Sequence, residues 1–263
     1  MTTAPAAEES LERSGPWTDL ALTLPVFVGY HLGVVFLPMR NAADVLTRSL
    51  QQVADYDLWV YAALTLAIGI AYVTPLLLAG RGKHLDASRF AWLGTEGLVY
   101  AMVMRVVAGY AVMKLLLFVS AEGSSLVGLM RAAPALSSAA AELDGAADVG
   151  ARVTGAILSL GAGFYEELVF RVGLYGLGAV LLLFLLNVTA RSARFFVRVG
   201  WGLTVACLFS GWHYLGELGE DFDLTTFAFR AVCGVVFTVI YHLRGFAPAV
   251  WTHALYDLWV LAF

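Results

Sequence analysis

The sequence predicts an all-α, polytopic transmembrane bundle of about eight membrane-spanning helices, and three observations carry that reading. Hydrophobic side chains make up 60% of the 263 residues and charged ones 14%, against about 45–50% and about 25% in soluble domains. Mean hydropathy is +0.78. The apolar residues gather into runs of roughly 20, enough to cross about 30 Å of hydrocarbon at 1.5 Å per residue. The same figures exclude disorder, collagen-like repetition and coiled coil. A net charge of −4 and a pI near 5.7 speak against a nucleic-acid partner. Cys207 and Cys233 both lie in apolar runs and form no disulfide framework.

Residues 1–18 form a polar tail carrying Glu8, Glu9 and Glu12. A cleaved signal peptide would place basic residues before a shorter apolar core, so the tail is expected to be retained on the cytosolic side. Residues 19–263 then form a single transmembrane domain. Its first spans are Leu20–Met39, Leu58–Gly80 and Arg89–Ser120, the last interrupted by Glu96, Arg105 and Lys114. Glu122–Ala151, rich in Ala, Ser and Gly, reads as the longest loop, with room for a short interfacial helix. Val153–Ala190 is apolar except for Glu166, Glu167 and Arg171. One helix of that length would run about 57 Å, so a break at Gly173, Gly176 and Gly178 is expected, giving two helices. Val199–Gly216, Leu224–Leu243 and Phe246–Phe263 complete the set. Pro248 stands at the start of the last, where its missing N–H costs little.

Two basic clusters bear on orientation: Arg81, Lys83 and Arg89 in one loop, and Arg191, Arg194 and Arg198 in another. With eight helices three crossings separate them, and the positive-inside rule cannot satisfy both. Orientation therefore stays open at this stage. Lysine is confined to Lys83 and Lys114 while Arg, Ala and Gly abound. That skew suggests a GC-rich bacterial genome, and with it a bacterial inner (cytoplasmic) membrane.

An ionisable side chain at bilayer depth costs about 2.5–3.5 kcal/mol on insertion scales and calls for a function or a partner. Lys114 and Arg244 lie near segment ends and can snorkel to the interface. His31, His242, Glu96, Arg105 and Arg230 are isolated in sequence and read as packing or interfacial residues. Three compact clusters differ. In Glu166-Glu167-Leu168-Val169-Phe170-Arg171 the second glutamate and the arginine are four apart and share a helix face, where an ion pair neutralises both. Glu166 points about 100° away from that pair on an α-helix. In Phe209-Ser210-Gly211-Trp212-His213 the phenyl ring covers one side of the imidazole, and Ser210 reads as helix packing. His253 and Asp257 are again four apart on one face. Buried polar groups must find partners, and the cheapest partners here are each other.

Glu-Glu-x-x-x-Arg, Phe-x-x-x-His and His-x-x-x-Asn/Asp, in that order on successive helices, resemble the CPBP family of intramembrane proteases. That family includes the eukaryotic endoprotease that trims prenylated CaaX proteins, and bacterial members linked to bacteriocin processing and self-immunity. The motifs cover roughly residues 164–257, and the protease-like core is expected at about 150–263. The resemblance implies that Glu166 is the catalytic glutamate, that His213 and His253 line the site, and that Asp257 fills the Asn/Asp position. Glu167, Arg171 and Phe209 become supporting residues. An apolar stretch, Val172–Ala190, separates the first two motifs by more than the family spacing leads one to expect. Asp257 in place of Asn has no amide to donate and is expected to orient His253 or His213.

The expected activity is an intramembrane endopeptidase acting on a peptide or membrane-protein substrate in the lipid bilayer. Glu166 activates water jointly with His213, and His253, or Asp257 once protonated, polarises the scissile carbonyl. No cofactor is the preferred expectation. A divalent metal such as zinc on Glu166, His213 and His253 is the competing one, and no His-Glu-x-x-His motif decides between them. Rival functions are a proton-coupled transporter, which predicts internal repeats absent from this sequence, and a non-catalytic scaffold or immunity protein. Substrate identity and oligomeric state are not legible.

Overall fold

An apolar run inside hydrocarbon has to satisfy every backbone N–H and C=O within itself, so it folds as a helix. The computed structural model describes residues 15–35, 37, 54, 57–80, 87–121, 149–215 and 220–262, and no strand occurs among them. Seven helices are found among those residues: α1 (Pro16–Val34), α2 (Leu58–Ala79), α3 (Ala87–Ala121), α4 (Val149–Leu185), α5 (Arg191–Trp212), α6 (Leu224–Arg244) and α7 (Phe246–Leu261). Those from α2 to α6 are long and apolar enough to cross a membrane. Large apolar side chains such as Leu66, Val106, Phe184 and Phe196 stand exposed on them. In water such a surface aggregates; in lipid it meets its proper solvent. The protein is an integral membrane protein.

Local chemistry sets the helix ends. The Asp57 carboxylate accepts from the N–H groups of Trp59 and Val60 at 2.9 Å each, and Asp223 accepts from that of Thr226 at 2.8 Å. Both are N-caps that satisfy orphan donors of a first turn. Gly245 ends α6 and opens α7 with φ 104°, a conformation that suits glycine. A Cβ there would also strike the carboxylate of Asp19, which accepts from the Phe246 N–H at 2.8 Å.

The expected break at Gly173, Gly176 and Gly178 is absent. The chain stays helical from Val149 to Leu185, but Ala162–Glu166 and Leu168–Leu177 are wound as π-helix. The glycines serve packing: a Cβ at Gly176 would meet the Tyr241 hydroxyl, and one at Gly178 the Trp201 indole. The turn to α5 comes at Asn187, which has φ 48°, a region asparagine tolerates. α5 also begins earlier than expected, so Arg191, Arg194 and Arg198 lie in its first turns and not in a loop. The loop expected at Glu122–Ala151 lies outside the described residues up to 148, and 149–151 open α4.

One helix in place of two changes the orientation argument. Trp17 Nε1 donates to Leu76 O at 2.7 Å, Asp19 caps α7, and Arg244 Nε meets Glu96 Oε1 at 2.6 Å. These contacts gather the starts of α1, α3 and α7 with the ends of α2 and α6, and Arg191 and Arg194 at the start of α5 line one recess with His242 and Leu243 at the end of α6. That end of the bundle carries Arg89, Arg191, Arg194, Arg198 and Arg244. The opposite end carries Asp57, Glu220, Asp221 and Asp223 together with Lys114, Arg152 and Arg230. Among the described residues only α3 and α4 lie between Arg89 and the arginines of α5, so the positive-inside rule predicts that this side is the cytosolic one. A cysteine at Thr189 is expected to resist a membrane-impermeant thiol reagent added from outside, while one at Asp221 is labelled. The reverse pattern overturns the orientation.

α7 has 16 residues and is surrounded, touching α1, α3, α4 and α6. Close approach relies on small side chains, as is usual between membrane helices. A Cβ at Gly163 would press on Ala254 and the Val250 carbonyl, and one at Gly155 on the Leu261 backbone. One apolar cluster includes Phe27, Tyr30, Phe164 and Val250, and a second includes Met104, Phe170, Phe209 and Phe237. The polar site lies between them.

Candidate active site

The motif residues of α4, α5 and α7 converge. Glu166 and Glu167 are both buried near the middle of α4, at 5% and 0% relative exposure. An i→i+5 ladder widens the turn, so each residue advances by less than the 100° of an α-helix. Glu166, expected about 100° from the Glu167–Arg171 face, meets imidazoles of other helices, and the two carboxylates reach opposite ring nitrogens of His253. Glu167 Oε1 accepts from His253 Nδ1 at 2.8 Å, while Glu166 Oε2 lies 3.9 Å from His253 Nε2.

His213 follows the last residue of α5, at the acidic end of the bundle. Its Nδ1 lies 2.9 Å from the carbonyl of Phe209. A carbonyl only accepts, so Nδ1 carries the proton and Nε2 is turned to Glu166 Oε2, 3.9 Å away. His253 is fixed the same way, with Nδ1–H on a carboxylate. The two imidazoles thus aim equivalent nitrogens at one glutamate oxygen. At 3.9 Å neither is in direct hydrogen-bond contact with it. Asp257 Oδ2 stands 3.4 Å from His253 Nε2, so of the two imidazoles expected for Asp257 the structure selects His253. The side chains of His213 and Asp257 are 25% and 21% exposed, and they open the site toward the acidic end.

Arg171 and Glu167 form the expected ion pair, 3.2 Å between Nε and Oε2, with both side chains fully buried. Arg171 also donates from Nη2 to the Gly234 carbonyl at 3.3 Å. Its guanidinium lies 4.4 Å from the ring centre of Phe209 and 5.0 Å from that of Phe237, where the quadrupole of a desolvated ring favours a cation. Phe209 meets the His213 ring edge-on at 5.2 Å. Phe237 stacks on His253 at 4.5 Å and 19°. Neither Phe237 nor Gly234 belongs to a sequence motif, and no signal on α6 marked them.

The isolated ionisable residues have structural roles. His31 Nε2 lies 2.6 Å from the Tyr165 hydroxyl, and His242 Nδ1 lies 3.1 Å from that of Tyr175. Arg105 covers Trp259, and Arg230 pairs with Glu220 at 2.8 Å. Ser210 donates to the Phe227 carbonyl, as expected of a packing residue. Arg244 departs from the snorkelling expectation, because its partner Glu96 holds it at 12% exposure.

A zinc-type site needs three or four ligand atoms about 2.0–2.2 Å from one point. Among the described residues no group of three His, Cys, Asp or Glu side chains is arranged to hold a metal ion. The donor set itself is suitable chemistry, and Glu166, His213, His253 and Asp257 are the side chains that would hold such an ion. What the arrangement offers is a carboxylate oxygen, two oriented imidazoles and a desolvated surround.

A family model described as Rce1-like, type II CAAX prenyl endopeptidase Rce1-like, matches residues 149–259. The match starts with α4 and ends within α7, and it contains every side chain of the convergent cluster. No curated protein and no solved structure matches the chain.

Proposed function

We propose that the chain, whose residues 149–259 match the type II CAAX prenyl endopeptidase Rce1-like model, is a CPBP-type intramembrane protease in which Glu166 activates a water molecule for peptide-bond hydrolysis. The observation that supports this reading is the convergence of His213 Nε2 and His253 Nε2 on Glu166 Oε2 at 3.9 Å each. Polar groups too far apart for a direct hydrogen bond are commonly bridged by water, and in this reading one water sits against Glu166 Oε2. In this reading Glu166 takes a proton from the water, and the hydroxide oxygen bonds to the scissile carbonyl carbon. The carbonyl π-bond pair moves onto oxygen, where His253 Nε2–H stabilises the oxyanion. Collapse breaks the C–N bond, and Glu166 returns its proton to the leaving amine. His253 donates from both ring nitrogens in this step, with Glu167 and Asp257 supplying the counter-charge. Asp257 is a positioning residue.

The substrate class in this reading is a peptide or membrane-protein segment that reaches the site from the acidic end, where His213 and Asp257 are exposed. The test is a membrane-anchored peptide library presented to the purified protein in liposomes, with cleavage sites mapped by mass spectrometry. Cleavage by the wild type that survives a strong chelator and dialysis is the expected result, because base and donors are already supplied by the chain. Loss on chelation that added zinc, iron or cobalt restores makes His213 and His253 ligands and overturns the metal-free mechanism.

A further inference from the structure

A recess of about 560 Å³ lies between α5 and α6 at the basic end of the bundle, away from the catalytic cluster. That volume falls within the about 300–1,000 Å³ typical of small-ligand clefts. Arg191, Arg194 and Arg198 all line it. Their spacing of three and four residues places them within about 60° of one another on α5, one stripe of the helix. No aspartate or glutamate is among its lining residues. Arg194 spends one N–H on the Val188 carbonyl at 3.0 Å, and a guanidinium has five.

Beyond the arginines the recess becomes apolar. Val199 and Leu203 of α5 face Val239 and Leu243 of α6 across it, and Leu203, Val239 and Leu243 are 51%, 48% and 62% exposed. Buried Tyr175 closes the inner side, its hydroxyl held by His242. Among the described residues, the recess thus runs from a cationic mouth lined by no carboxylate into an apolar groove along two lipid-facing helices. An anionic headgroup with an attached acyl chain matches both parts at once. A soluble anion matches only the mouth, and a zwitterionic lipid brings a phosphate whose charge its own ammonium offsets.

We propose that this recess is a binding site for an anionic phospholipid of the leaflet on the basic side. Each guanidinium near a membrane surface attracts anionic headgroups, and bidentate pairing fixes the phosphate in the mouth. Occupancy ties the start of α5 to the end of α6. The site is independent of whether Glu166 performs catalysis.

The test is native mass spectrometry of the full chain released from nanodiscs made with equal parts phosphatidylglycerol and phosphatidylcholine. The wild type is expected to retain phosphatidylglycerol selectively. The triple variant R191Q/R194Q/R198Q should lose that preference by about tenfold or more. V239W, which fills the groove and leaves the arginines in place, should lose it as well. Unchanged retention in the triple variant overturns the proposal. Unchanged retention in V239W reduces the effect to surface charge and overturns it too. If the triple variant does not insert, V239W decides alone. Inorganic phosphate is the remaining arm: thermal stabilisation by phosphate equal to that by phosphatidylglycerol would make this a free-anion site and refute the lipid.

Discussion

Glu166→Gln is expected to abolish peptide-bond cleavage while expression, membrane insertion and helical content stay at wild-type level. The substitution keeps the shape of the side chain and removes its capacity to take a proton. General acid–base contributions are worth about 10²–10⁴-fold in rate, and here one carboxylate serves as base and then as acid. Glu166 is buried against two imidazoles, so no bulk water substitutes for it. His213→Ala should give a loss of similar size, because the imidazole that orients the attacking water sits at the exposed edge of the site. The measurement is cleavage of a membrane-anchored peptide by matched amounts of purified proteins. Turnover at the wild-type rate in either variant sinks the assignment at these residues.

The membrane class and the residues of the candidate cluster were legible because both leave strong local marks. A charged residue inside an apolar run is costly, and three such clusters in one chain point at each other before any coordinates exist. Hence Glu166, Glu167, Arg171, Phe209, His213, His253 and Asp257 were all identifiable, and the structure brings them together. The helix count and orientation were not legible, for one physical reason. Glycine reads as a breaker from sequence, yet Gly176 and Gly178 are there because Tyr241 and Trp201 approach closely. Only the neighbouring helices reveal that. The π-helical winding was equally hidden, since periodicity assumes 100° per residue. Glu167 keeps the expected ion pair with Arg171 through one oxygen and meets His253 through the other. Phe237 was missed because an aromatic residue on an apolar helix carries no signal of what it stacks on.

The second large effect expected is on stability, at the Glu167–Arg171 pair. Both side chains are fully buried, so removing one charge leaves the other in a low-dielectric interior. Breaking such a pair from one side costs about 3–5 kcal/mol, whereas replacing both partners with neutral groups of similar volume costs much less. Arg171→Met is therefore expected to be strongly destabilising, with Glu167 left to His253 alone. It also removes the donor to the Gly234 carbonyl and the cation between Phe209 and Phe237. Glu167→Gln strands the guanidinium among those rings. The double variant should melt above Arg171→Met, with a coupling energy within the roughly 0.5–3 kcal/mol found for contacting residues. Thermal melts in one detergent at one lipid ratio measure this. Strict additivity of the two single effects argues that the charges do not compensate each other. Activity supplies a readout that packing alone does not move. The double variant regains stability but leaves His253 Nδ1 facing an amide in place of a carboxylate, so its cleavage rate should stay far below wild type.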